Sequence, residues 1–148
     1  LELEEIQRRI ERISRDFSPL IPGLKVEFLS SEAYMARLRG RPILPWEADK
    51  KVRVDAPPLY SSIKNNMVLV CREALLETVH REPKELRRPL VEGLILYELL
   101  YLAVARGPEV YPRAKAEALL RRYWPLQYCA VQGIVIGGGA EPKQEERP

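Results

Sequence analysis

Between Gly93 and Ala105 a single charged residue, Glu98, interrupts an otherwise uncharged, largely apolar run. Pro83 and Pro89 bracket its entry, and Gly107 with Pro108 ends it. The segment therefore reads as a helix near Lys84 to Arg106. Its second half has no polar face, and a helix of that kind sits at the buried centre of a domain. A membrane span needs about 20 apolar residues, so this run is too short and carries a charge in its middle. Whatever the chain folds into must wrap around this helix. A carboxylate at such a place is costly unless it is paired, hydrogen-bonded or protonated. Leu94 and Leu102 stand four residues to either side of Glu98, so its partner is Tyr101 or comes from elsewhere in the chain.

The flanking elements follow from their periods. Leu3, Ile6, Ile10, Ile13 and Phe17 recur at steps of three and four and mark an amphipathic helix, which Pro19, Pro22 and Gly23 end. Leu24 to Leu29 alternates like a half-buried strand. Ser30 and Ser31 can cap a helix over Glu32 to Arg39, stopped by Gly40. Residues 41–50 read as an ordered loop, and Lys51 to Asp55 as another strand before Pro57 and Pro58. Asn65-Asn66 signals a turn. Met67 to Cys71 is a nearly continuous apolar run, as a central strand requires. Helices are expected from Glu73 to His80 and from Pro112 to Tyr123, with a last strand over Gln127 to Ile136. Residues 1–136 are read as one domain. Gly137-Gly138-Gly139 and the charged segment to Pro148 are read as a flexible tail.

Composition agrees with one globular domain. The 148 residues are 46% hydrophobic and 30% charged, and the net charge is only +3. Arg8, Arg9, Arg12 and Arg15 alternate with Glu4, Glu5, Glu11 and Asp16, the pattern of a solvated helix face, which argues against a nucleic-acid partner. The charged amino end carries no signal-peptide pattern. A soluble, cytoplasmic protein with no membrane partner is expected. One threonine, two asparagines and thirteen prolines suggest a thermophilic source. Cys71 and Cys129 each lie in apolar stretches that read as strand. Two buried thiols or one disulfide both satisfy that reading.

Tyr97-Glu98-Leu99-Leu100-Tyr101 resembles the active-site helix of zincin metallopeptidases, in a minimal, gluzincin-type form. In that family two histidines at i and i+4 hold zinc, and the glutamate after the first polarises the attacking water. Here Tyr97 and Tyr101 stand at the histidine positions and Glu98 at the position of the general base. The order of helix, strand, helix, strands, central helix and further helix is also similar, from about Leu3 to Tyr123. The resemblance implies an α+β zincin-like domain, with a mixed sheet on the buried helix and a cleft between a strand edge and that helix. A later-helix glutamate would be the third ligand, and Glu109 and Glu117 are available. Neutral phenols bind zinc poorly, so neither a metal nor another cofactor is expected.

Other chemistry is sparse. The glycine triplet has no lysine and serine or threonine after it, so it is no P-loop. His80, the only histidine, sits at a helix end among charges and reads as a cap. A Cys71, His80 and Cys129 metal cluster matches no finger spacing. The expected function is an inactive, zincin-like pseudoenzyme that binds an extended peptide or a protein through Tyr97, Tyr101, Glu109 and Glu117, with Glu98 as a vestigial catalytic residue. Two alternatives stay open: a metal-independent enzyme using Glu98 as acid or base, and a structural or DNA-associated module whose likeness to zincins is accidental. The sequence leaves the oligomeric state open.

Overall fold

The computed structural model describes residues 2–40, 54 and 56–132. The fold is α+β. Helix α1 (Leu3–Phe17) is followed by a short 3-10 turn (Ser18–Leu20), strand β1 (Lys25–Leu29), helix α2 (Ser31–Arg39), strands β2 (Leu59–Ser62) and β3 (Met67–Cys71), and helices α3 (Arg72–His80), α4 (Lys84–Ala105), α5 (Pro112–Tyr123) and α6 (Pro125–Val131). No helix among the described residues is long and apolar enough to cross a membrane.

The sheet has the order β1-β3-β2. Strand β3 pairs parallel to β1, with Val26 opposite Val68, and antiparallel to β2, with Tyr60 opposite Leu69. The central position of β3 explains its unbroken apolar run, because both of its faces are covered. Val68 and Val70 turn to the large core with Ile6, Ile10, Leu59 and the α4 side chains. Leu69 and Cys71 turn the other way, onto Tyr34 and Met35 of α2.

Helix α4 is the axis of the molecule. Its residues from Gly93 to Leu102 are all buried, and α1, β2, α3, α5 and α6 pack around it. Burying a leucine or isoleucine side chain is worth roughly 1.5–3 kcal/mol, so this ring of contacts is the main source of stability. Pro89 lies inside the helix without ending it. Its missing N–H drops only the bond to the carbonyl of Glu85, in the exposed first turn. Helix α2 ends where Gly40 takes up φ 68°, the left-handed conformation that favours glycine.

Three expectations need correction or completion. The strand expected over Gln127–Ile136 is not formed at its start: residues 125–131 are helix α6, with Pro125 in the first turn and Ala130 and Val131 buried against α4. Cys129 is therefore exposed on a helix while Cys71 is buried at the end of β3, and both thiols are free. Strand β2 forms directly after Pro58, where the two prolines suggested only a break. The Asn65-Asn66 signal makes its turn into β3, with Asn66 at φ 49°. The loop 41–50, the strand over Lys51–Asp55 apart from Val54, and the tail 137–148 lie outside the described residues.

Candidate site around Glu98

Helix α4 presents Tyr97, Glu98 and Tyr101 inward, with exposures of 3%, 2% and 1%. Residues four apart share a helix face, so the two phenols lie one above the other. What reaches them is Arg113, in the first turn of α5. Its guanidinium carbon sits 4.0 Å from the centroid of the Tyr101 ring, a cation–π contact. The same side chain hydrogen-bonds to Tyr97 and feels the Glu98 charge. Pro112 starts α5 and the adjoining position aims Arg113 at α4.

Glu98 is held from the opposite side by the sheet. The Ser61 hydroxyl donates to Glu98 Oε1 at 2.6 Å, and more weakly to the Glu98 carbonyl oxygen at 3.4 Å. Ser61 alternates with Tyr60 along β2, which turns its side chain toward α4. The strand and the central helix are thus tied at the one acidic residue in the apolar run. Tyr34 of α2 approaches closely enough to feel the same charge, while its hydroxyl donates to the Pro57 carbonyl.

The electrostatics follow from this crowding. Burial works against the Arg113 charge, but Glu98, the Tyr97 hydroxyl and Tyr101 outweigh it and hold the guanidinium above its ordinary range. Burial pushes the Tyr97 phenol up and the Glu98 charge adds to that; the Arg113 hydrogen bond and charge pull it partly back. Tyr34 moves up for the same leading reason, burial, followed by Glu98. Both phenols stay neutral where an exposed tyrosine would ionise.

No family model, curated protein or solved structure matches the chain. The site's chemistry is therefore read from its own geometry.

The site brings together some of the residues singled out from the sequence and leaves others apart. Tyr97, Glu98 and Tyr101 form one buried cluster. Glu117 stands beside it: its charge acts on Tyr97, and its carboxylate accepts a hydrogen bond from Tyr128 at 3.2 Å. Glu109 lies in the connection between α4 and α5 and makes no hydrogen bond or ion pair among the described residues. His80 is the exposed last residue of α3, and its carbonyl accepts from Arg87 at 3.2 Å. Arg113 and Ser61 were not singled out. The cost of a buried carboxylate signalled that some cation and some donor must come to Glu98, but not which of the chain's 24 lysines and arginines would do so.

These residues do not fit zinc. The Tyr97 and Tyr101 phenols already engage a guanidinium, and a second cation beside Arg113 would be repelled. Among the described residues no group of three or more His, Cys, Asp or Glu side chains could hold a metal ion. A carboxylate so well buried and hydrogen-bonded meets no solute without movement of the chain around it.

The raised phenols make stability fall in alkali. The folded state holds the Tyr97 and Tyr34 protons above the ordinary value of 10, so between that value and their folded values the unfolded chain binds fewer protons. Stability is then complete below about pH 10 and falls above it by about 1.4 kcal/mol per pH unit for each such group. Urea unfolding between about pH 8 and pH 11 should show this slope, and Tyr97→Phe should reduce it. An unchanged slope in that variant would remove Tyr97 from the account.

Proposed function

We propose that this chain is a zincin-like domain that works without a metal, as a module binding an extended peptide or a protein segment. The observation that carries the reading is strand β2. It is an edge of the sheet among the described residues, and its side chain Ser61 grips Glu98 of the central helix. The backbone groups of the same strand alternate in direction. Cys71 N donates to the Pro58 carbonyl, so Pro58 and Cys71 are a bonded pair. The alternation of antiparallel ladders then directs Tyr60 and Ser62 toward β3, and Leu59 and Ser61 away from it, at positions that are 3% and 0% exposed. A peptide adding as a strand would bond to those two residues after displacing the chain that covers them, next to the helix that the resemblance equates with the zincin active-site helix.

Arg113 supports the metal-free half of the reading. A permanent cation lies against both tyrosines, and arginine, unlike a zinc site, needs no deprotonated ligands. The order α1, β1, α2, β2, β3, α4 and α5 is that of the resemblance, with α3 added between the strands and the central helix.

The test has two arms. Protein purified without chelator should contain no stoichiometric zinc by elemental analysis; about one zinc per chain retained through mild chelation would overturn the metal-free reading. A display library of extended decapeptides should yield binders, and N-methylation at alternate backbone positions of a binder should weaken it about tenfold. Binders indifferent to N-methylation in either register would sink strand addition.

A further inference from the structure

A cavity of about 300 Å³ lies between α1, α4 and the start of α6, within the size range of small-ligand pockets. Leu96 contributes to its floor, only two residues before Glu98. At 3.6 residues per turn that places it roughly 200° around α4 from the buried cluster. The cavity is therefore a separate feature, on the opposite flank of the helix from the Glu98 site, and nothing in its chemistry depends on the peptide-binding reading.

Its walls combine three properties. The rings of Phe17 and Trp124 pack with centroids 6.3 Å apart and planes inclined at 42°, and both line the cavity. Ile13 and Leu96 supply an aliphatic wall. The charged side chains in the lining are both acidic, Asp16 and Glu92. Glu92 is already engaged, by Arg9 at 2.7 Å and by Gln127 at 3.1 Å, and serves as a fixed strut between α1, α4 and α6. Asp16 is exposed and makes no hydrogen bond or ion pair among the described residues. An unpaired carboxylate beside two aromatic faces selects for a cation with an apolar body.

The surroundings indicate what presents that cation. Leu20 is 62% exposed, Tyr123 59% and Leu126 58%. Leu20 follows Phe17 by one helical turn, Tyr123 stands edge-on to Trp124, and Leu126 is two residues beyond it. Large exposed apolar side chains within three residues of the two lining rings are what a polypeptide surface covers and a small, hydrated amine does not.

We infer that the Phe17–Trp124 cavity receives a lysine side chain of a partner polypeptide. The four-carbon stem lies against Ile13 and Leu96, and the ammonium meets the Trp124 face and the Asp16 carboxylate. Apolar residues flanking that lysine cover Leu20, Tyr123 and Leu126.

The test is an NMR titration followed at the Trp124 indole N–H, assigned by its loss in Trp124→Leu. The probe is acetyl-Leu-Lys-Leu-amide, with the same peptide carrying norleucine for lysine as the uncharged comparison. The lysine peptide should give a saturable shift and bind at least about fivefold more tightly than the norleucine peptide. Asp16→Asn, a surface change that leaves the fold intact, should remove most of that difference. Equal binding of the two peptides, or a preference that survives Asp16→Asn, overturns the assignment. So does tighter binding of spermidine than of the lysine peptide, which would make the cavity a site for free polyamines. Trp124→Leu should abolish the preference for lysine; if that variant does not fold, the Asp16→Asn comparison decides alone.

Discussion

Glu98→Gln and Arg113→Met should each lower stability by about 3 kcal/mol, and the double variant should lose no more than the worse single one. Each single change removes one side of the attraction between the buried Glu98 and the partly buried Arg113. Glutamine can still accept the Ser61 hydroxyl that Glu98 accepts at 2.6 Å, so Glu98→Gln isolates the loss of charge from the loss of the hydrogen bond. Arg113→Met keeps apolar bulk over Tyr101 but removes the cation. When both charges go, their mutual attraction is lost only once, and replacing a buried pair by groups of similar shape is often close to neutral. Urea unfolding of the four proteins gives the coupling directly. Additive losses would mean that Arg113 does not compensate Glu98. A small loss in Glu98→Gln alone would be more consequential: a buried carboxylate that stability does not need would have to be kept for chemistry, which would favour a metal-independent acid or base over a binding module.

The boundaries of α1, β3 and α5 were legible from the sequence because each carries a strong local signal. Leu3 to Phe17 has one apolar stripe, Met67 to Cys71 is apolar throughout, and Pro112 marks a first turn. Strand β2 was hidden because it has four residues, follows two prolines, and contains two serines, of which Ser61 turns to the core through its bond to Glu98 of α4. Helix α6 was hidden for a related reason. Seven residues complete barely two turns, too few for a period of 3.6 to separate from a period of two, and the packing that selects the helix comes from Gly93, far away in sequence.

The site was legible as a problem and not as its solution. An isolated charge in an apolar helix announces that a partner exists. Tyr97 and Tyr101 were marked by their shared face, and they do share Arg113. Arg113 itself carries no local mark: an arginine after Pro112 in a helix full of basic residues reads as solvated surface. Only the docking of α5 on α4 turns it inward. The same docking brings Glu117 near Tyr97 and leaves Glu109 in the connecting loop, although spacing alone gave the two glutamates equal standing.

Gly93→Ala should cost about 2 kcal/mol even though alanine is the better helix former. Gly93 lies where α6 crosses α4, and a Cβ there would stand 2.7 Å from the Gln127 carbonyl oxygen and 2.7 Å from Val131 Cγ1. Real Cβ atoms do not tolerate either distance, so α6 would have to back away. The helix-propensity gain of about 1 kcal/mol offsets only part of the overpacking, and Gly93→Val, with a branched side chain at the same crossing, should cost more than Gly93→Ala. Val131→Ala distinguishes the two contacts. It removes the methyl group in the way but leaves the backbone carbonyl of Gln127, which no side-chain change can move. Gly93→Ala should therefore be rescued only partly in the Val131→Ala background, once the cost of Val131→Ala alone is subtracted. Full rescue in urea unfolding would show that the valine, and not the backbone, sets the approach of the helices. The displacement has a second consequence. Backing α6 away carries Trp124 and Gln127 with it, and Gln127 is one of the two groups that fix Glu92 beside the Phe17–Trp124 cavity. In Gly93→Ala the discrimination between lysine and norleucine peptides should fall together with stability. Loss of stability with that discrimination intact would separate the helix crossing from the cavity.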